Sequence, residues 1–507
     1  MSLTLTGADL TLKTVEDFEL RRPQVELGAE ARRNMQASVD TVRRIIETDK
    51  ASYGINTGFG ALARQRISRD QLTQLQYNLV RSHACGVGQP LPAHIVRRIL
   101  LLKANSLAVG CSGIRPEVVD TLLALLNHDV LPVIPAKGSV GASGDLAPLA
   151  HMALALIGEG EAIHKGKLLE GTAVLKAAGV QPVQLQAKEG LALLNGTQLS
   201  AALAIDGLLR ARRALLNGVV LGALTVEAMA GSYSPFDARI HAARNMPGQI
   251  KVAELFRSLL TGSDIWQAHQ GCDRVQDPYA LRCMPQVYGA VWDTLEHAAG
   301  VLERELNSVS DNPLIFGDEV LSGGNFHAEP LAFLSDFMGI AAAEIGNIAE
   351  RRIDLLLKKI NPRLSLFLAR DPGVESGFMI AHVTAAALAS ENKTLVHPAS
   401  ADSIPTSAGQ EDHVSMAPWA GLKLQQILDN VFTILAIEAL AAAEAVDAQR
   451  PLSTTPLLET VQTCIRHSAV RNGGDRRLDK DISAVAALLA GGALLAELPP
   501  AFRPAAS

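Results

Sequence analysis

Apolar residues recur at helical spacing along most of this chain. Segments 95–107, 116–126, 199–216, 287–306, 331–357, 377–389 and 422–446 are built on Ala and Leu with few β-branched residues, so each reads as a helix. From 427 to 446 the only charged residues are Asp429, Glu438 and Glu444. A helix so poor in charge must be covered on most sides, by neighbouring helices or by another subunit. Several in succession predict a bundle. Strand signals are few. Segment 162–169, turning at Lys165-Gly166, and segment 314–321 each predict a small hairpin. The stretch Leu498-Pro499-Pro500-Ala501-Phe502-Arg503-Pro504 reads as a surface tail.

Composition narrows the class. With 507 residues and 48% hydrophobic content, the chain is not disordered. It also outgrows a lone core, which stops growing at roughly 250–300 residues, so several domains or an elongated helical body are expected. Lys plus Arg total 46 against 52 Asp plus Glu, and the resulting charge of -6 argues against a dedicated nucleic-acid binder. Cys85, Cys111, Cys272, Cys283 and Cys464 are dispersed and form no C-x-x-C pair, which removes zinc ribbons and thioredoxin-like sites. The N-terminus lacks a basic region followed by an apolar run, so no signal peptide is expected. Uncharged stretches such as 190–205 fall short of the ~18 residues of a membrane helix. The expectation is a soluble cytoplasmic protein with no membrane or nucleic-acid partner.

The loops carry the chemistry. Gly138-Ser139-Val140-Gly141-Ala142-Ser143-Gly144-Asp145 runs into a helix, with Asp145 as candidate N-cap and Pro148 in the first turn. A helix N-terminus can hold an anion. The G-x-x-G-x-x-G spacing is not the dinucleotide fingerprint, however, and no Lys-Ser or Lys-Thr follows as in a P-loop. A plain capped turn and a reactive loop both remain open on spacing alone. Ala142-Ser143-Gly144 allows a further use. If the Gly144 nitrogen attacks the Ala142 carbonyl and two waters leave, the product is an imidazolone with Ser143 converted to an exocyclic methylidene, a strong electrophile. Gly144 lets the backbone fold back, Ser143 supplies the departing hydroxyl and Ala142 leaves the carbonyl uncrowded.

Gly141-Ala142-Ser143-Gly144-Asp145-Leu146-Ala147-Pro148-Leu149 resembles the prosthetic-group segment of the aromatic amino-acid ammonia-lyases, and the likeness runs from Tyr53 to Ile482. The resemblance implies that Ala142, Ser143 and Gly144 form 4-methylidene-imidazol-5-one (MIO) autocatalytically, with no external cofactor. It implies that Tyr53, in Tyr53-Gly54-Ile55-Asn56-Thr57-Gly58-Phe59-Gly60, removes the substrate's β-proton; by residue type alone it would be a surface aromatic. It places Asn195 beside the prosthetic group, although a residue where a helix-like run breaks can also be a cap. Asp277 reads as an N-cap and Pro278 as a first helical residue, which puts Tyr279 and Arg282 on one face. The resemblance gives Arg282 the substrate carboxylate, Tyr279 the prosthetic group and Gln276 the site wall, and it packs Phe326 at the active site. Tyr233 and Trp419 occupy positions the family pattern does not assign, and Ala280 stands where the pattern has Ser.

His83 and Glu411 bear on the substrate. The family's phenylalanine- and tyrosine-specific members carry Asn-Gln where Gln410-Glu411 stands, and Phe-Leu or His-Leu where His83-Ala84 stands. His83 and Glu411 suit an imidazole ring, which needs hydrogen bonds at its nitrogens; a phenyl ring would leave a buried carboxylate unpaired. The implied reaction is elimination of ammonia from L-histidine to give trans-urocanate, the first step of histidine degradation. His327-x-Glu329 is half of a zinc-deaminase signature, but Pro-Cys-x-x-Cys is missing, so no metal site is expected. The implied fold is mainly α and fumarase/aspartase-like: an N-terminal part, 1–196, bearing the loop, then a long bundle with C-terminal helices, 197–507. It assembles as a homotetramer with shared active sites. Rival readings are a lyase or 2,3-aminomutase for another aromatic amino acid, and an inactive helical scaffold.

Overall fold

The chain's Ala- and Leu-rich runs become helices, and their apolar faces meet. The computed structural model describes residues 2–48, 51–269, 275–471 and 473–503. The helices that position the site are α1 (Ala93–Ala108), α2 (Leu146–Leu156), α3 (Glu189–Leu194), α4 (Gln198–Ala228), α5 (Met284–Glu305), α6 (Glu329–Leu356), α7 (Met379–Leu395) and α8 (Ala417–Asp447). α8 packs against α4, α6 and α7, and α5 against α4 and α6, so the centre is a bundle. One apolar core runs through the chain from Leu5 to Phe502. Among the described residues the strands are short. Those at Glu161–His164 with Lys167–Glu170, and at Leu314–Phe316 with Glu319–Leu321, are the two expected hairpins. The first turns through Lys165 (φ 49) and Gly166 (φ 75).

Helix α4 extends well past residue 216, where the segment expected from the sequence ends. Both glycines of its second half serve close packing. A Cβ on Gly218 would stand 3.0 Å from the Tyr288 hydroxyl, and one on Gly222 would stand 2.6 Å from the Met284 sulfur. The loss of helix propensity, about 1 kcal/mol per glycine, is accepted where α5 must approach. The charge-poor α8 is enclosed as its composition demands. Its Glu438 is fully buried and takes a bidentate contact from Arg352 of α6 (Nε 2.5 Å, Nη2 2.7 Å). Thr225 donates to the same carboxylate at 2.8 Å, and Arg352 donates to the Tyr288 hydroxyl at 2.8 Å.

One sequence expectation is corrected here. The final segment is not a loose surface tail: Leu498 and Phe502 are 2% and 1% exposed, because a short turn at Pro500–Phe502 folds the phenyl ring into the core. α6 and α8 are each long and apolar enough to cross a membrane, unlike the stretches weighed from the sequence. Yet 72% and 78% of their apolar windows are buried within the protein, as core helices are.

Candidate active site

The reactive loop is clamped by backbone from two directions. Gly144 adopts φ +70 and pairs in parallel with Gly196, just after α3; Asp145 N–H donates to Gly196 O at 2.7 Å. A Cβ on Gly144 would lie 2.2 Å from Gly196 O, so only glycine fits this approach. On the other side a strap, 406–416, crosses the loop. Met416 N–H donates to Val140 O (2.9 Å) and the Ser415 hydroxyl to Gly141 O (3.0 Å). Ser139 braces the turn from within, its hydroxyl accepting from Gly141 N–H at 3.1 Å. Ala142 is buried.

Asp145 precedes α2, but its carboxylate does not cap that helix. It reaches the first turn of α4 and accepts from Ser200 N–H (2.9 Å) and the Ser200 hydroxyl (3.0 Å). The unpaired amides at the start of a buried helix need an acceptor, and Asp145 supplies it across space rather than along the chain. Burial raises its carboxyl from 3.8 to about 6, with the Ser200 and Ser139 hydrogen bonds opposing. Lys103 of α1, also fully buried, donates to Asn195 O at 2.6 Å, and burial lowers its ammonium to about 7. Beside it, Lys188 Nζ binds Asp311 at 2.7 Å. Neither Lys103 nor Ser200 was singled out from the sequence. The available signal was a lysine directly after the apolar run Ile99–Leu102 of this helix.

A cavity of about 520 Å³ opens over Ser143, with Tyr53, His83, Asn195 and Glu411 in its wall. Tyr53 Oη accepts from Gly60 N–H at 3.4 Å. The Ser143 hydroxyl donates to Glu411 Oε1 (2.7 Å), and the Thr406 hydroxyl donates to Glu411 Oε2 (2.6 Å). His83 ends the Leu72–His83 helix; burial lowers its imidazole below the usual value, while the Leu79 backbone and the Glu411 charge oppose. Asn195 closes α3, and its side-chain Oδ1 is buried with no hydrogen-bond partner. Tyr53, His83, Ser143, Asn195 and Glu411 thus meet around one space, with Ala142 and Gly144 in its floor loop.

The other four candidates lie apart from that cavity in this chain. Asp277 does not cap the helix at Tyr279–Arg282. Pro278 stands at the cap position, and Asp277 Oδ2 instead accepts from Ser232 N–H at 2.6 Å, just beyond the C-terminus of α4. α4 has 31 residues, so at 1.5 Å rise its two ends are about 45 Å apart. Ser143 is near the first end and Tyr279 near the second. Arg282 and Tyr279 do share a face, with the guanidinium 4.7 Å from the ring centroid. Tyr279 is 70% exposed, Gln276 is exposed, and Arg282 Nε is buried without a partner. Phe326 is half-buried just before α6, near the strap but outside the cavity wall. Tyr233 stacks on Trp266 (centroids 4.9 Å) and donates to Glu227, while Trp419 is exposed on the first turn of α8.

Comparison with known proteins places this site in context. Residues 10–467 match the model of the aromatic amino acid lyase family. A histidine ammonia-lyase of Idiomarina loihiensis is 52% identical over 495 residues, 97% of each chain. One of Burkholderia vietnamiensis is 55% identical over 489 residues, 96% of each chain. The crystal structure of histidine ammonia-lyase from Trypanosoma cruzi superposes with TM-score 0.91 at 41% identity, covering 99% of this chain and 97% of that one. A tyrosine aminomutase from Streptomyces globisporus gives 0.92 at 37% identity, covering 98% of both, so the fold alone does not select the substrate. Matched along nearly its whole length, the chain belongs to the aromatic amino acid lyase family.

Proposed function

We propose that the protein eliminates ammonia from L-histidine, releasing trans-urocanate as the first step of histidine degradation, with MIO formed from Ala142, Ser143 and Gly144. The observation that carries the choice of substrate is the pairing of His83 and Glu411 in the wall of one cavity. The residues present fit the prosthetic group: a glycine that nothing larger could replace at 144, a buried alanine at 142 and a serine between them, compressed against Gly196. MIO supplies an electrophile that turns the amino group into a better leaving group.

The rest follows from the chain's own side chains. Dehydration of Ser143 removes the donor now held by Glu411 Oε1, while Thr406 keeps Oε2. The freed oxygen can then accept an imidazole N–H. His83, kept neutral at physiological pH by burial, can serve the ring's other nitrogen. Tyr53 takes the β-proton; a positioned base contributes roughly 10²–10⁴-fold. The N-terminus of α2, which begins at Leu146, points its positive end at the loop and stabilises negative charge developing there.

Tyr279, Arg282, Gln276 and Phe326 complete the site when contributed by other copies in a homotetramer. The distance of Tyr279, Arg282 and Gln276 from Ser143 within one chain supports this, as does the unpartnered Nε of Arg282, a ready donor for the substrate carboxylate. Exposed Phe337 and Ile340 on α6 line an apolar groove of about 810 Å³, and exposed Phe333 stacks on Phe337, the kind of face a subunit covers. Cys85, Cys111, Cys283 and Cys464 are free, which suits a reducing cytoplasm.

The test is ultraviolet absorbance of the purified protein with L-histidine, L-phenylalanine and L-tyrosine in parallel, with Ser143→Ala as control. The expected result is a rise with histidine alone that vanishes in the variant, whose intact mass lacks the loss of two waters. A rise only with another amino acid, or full activity in Ser143→Ala, rejects the proposal.

A further inference from the structure

The sequence offers His327-x-Glu329 as an incomplete metal motif; the fold supplies a third donor from the strap. His327 turns into the start of α6, Glu329 is the first residue of that helix, and His413 lies two residues beyond Glu411. One donor atom from each of the three falls within 4.8 Å of the others. His327 Nε2 and His413 Nδ1 are 3.1 Å apart, and His327 Nδ1 is 4.0 Å from Glu329 Oε2. Ligands bound at zinc-like distances of about 2.0–2.2 Å stand roughly 3.0–3.5 Å from one another. His327 Nε2 and His413 Nδ1 already have that spacing, and the Glu329 carboxylate, whose ligand atom lies within 4.8 Å of those of the two rings, closes on the same ion with a side-chain movement of roughly 1–2 Å.

A second observation concerns Glu329. Its Oε2 is buried and accepts no hydrogen bond. A hydrogen bond between the two rings would satisfy one nitrogen of each and leave this oxygen without a partner. A cation satisfies all three donors. Asp336, further along α6, is held by Lys423 Nζ (3.0 Å) and Ser400 N–H (2.8 Å), so it does not compete for the place.

We propose that His327, Glu329 and His413 bind one divalent transition-metal ion of the zinc class, which pins the strap to the start of α6. Two imidazoles and one carboxylate select this class over calcium or magnesium, which prefer all-oxygen sites. The ion restrains the strap that carries Glu411, and no step of the elimination passes through it. The proposal is independent of which amino acid is the substrate.

The test uses the full-length protein stripped with a chelator. Zn²⁺ is then titrated in competition with a chromophoric chelator, and Co²⁺ is read by its visible spectrum. One ion per chain at micromolar or tighter affinity is expected, with nitrogen and oxygen ligands and a higher Tm on binding. His413→Ala and the near-isosteric Glu329→Gln should each weaken binding by roughly 100-fold, since outer-shell partners alone contribute about 10–100-fold. Both should keep the metal-free Tm of the unmodified chain. Absence of micromolar binding overturns the proposal. So does binding untouched by both substitutions, or a thiolate signature in the Co²⁺ spectrum.

Discussion

Asp145 holds a negative charge in a site that water does not reach, and this has a measurable consequence. Its carboxyl rises from 3.8 to about 6 because burial outweighs the hydrogen bonds from Ser200 and Ser139. A folded-state pKa above the unfolded one means that the group's contribution to stability is fully present below about 3.8 and is lost as pH rises through about 6. The difference corresponds to about 3 kcal/mol of destabilisation at neutral pH. Asp145→Asn removes the charge and keeps the hydrogen bonds. Its carbonyl can accept from Ser200 N–H, now bound to Oδ2, and its amide can donate to the hydroxyls of Ser200 and Ser139, which rotate to accept. The variant should therefore be more stable than the parent by up to about 3 kcal/mol at pH 7.5, with the gain shrinking by about 1.4 kcal/mol per pH unit below about 6. Both chains should carry Ser143→Ala, so that prosthetic-group formation does not differ between them. Urea unfolding followed by circular dichroism at fixed protein concentration, from pH 7.5 down to 4.5, reads the difference. A variant less stable than its parent at pH 7.5, or a difference that stays constant with pH, refutes the reasoning.

Two further outcomes follow from the same geometry. Glu411→Gln replaces a charge-assisted contact worth about 1.5–3 kcal/mol, so kcat/KM for L-histidine should fall by roughly 10- to 100-fold, while the low value for L-phenylalanine does not; equal losses for both substrates would remove Glu411 from ring recognition. Arg352→Met strands the fully buried Glu438 and should cost about 3–5 kcal/mol in denaturant unfolding. Adding Glu438→Leu should return most of that loss, and an unchanged midpoint in the single variant would contradict the burial argument.

What the sequence made legible was whatever depends on neighbours along the chain. The Ala- and Leu-rich runs declare their helices, and Ala142-Ser143-Gly144 marks the proposed prosthetic group because its cyclisation would require contiguous residues. The C-terminal end of α4 was hidden because Gly218 and Gly222 answer to Tyr288 and Met284, residues on another helix. Asp145 and Asp277 both look like N-caps by the local rule, and both give their carboxylates to backbone amides elsewhere, Ser200 and Ser232, that lacked acceptors. The meeting of His83 with Glu411, and of His327 with His413, joins segments far apart in sequence. No spacing rule reaches that far, and for the first pair only the family resemblance foretold it.

The placement of buried charge separates the bundle from the loop. In the bundle Arg352 and Glu438 neutralise each other face to face, and Thr225 and Tyr288 satisfy what remains. Beneath the loop two charges have no such partner. Asp145 is spent on amide and hydroxyl donors, and Lys103 on the carbonyl of Asn195. Each is destabilised by burial, and the directions of their shifts record it. What they hold is backbone: Lys103 fixes the residue before Gly196, and Asp145 ties the residue after Gly144 to the start of α4. These are the two segments whose glycines press together closely enough to exclude any side chain. The proposed closure of the Gly144 nitrogen on the Ala142 carbonyl would require such compression, and a compressed loop persists only where its surroundings over-determine it. The two mismatched charges are that surrounding, so relieving one of them should raise stability where the paired charges of the bundle would lower it.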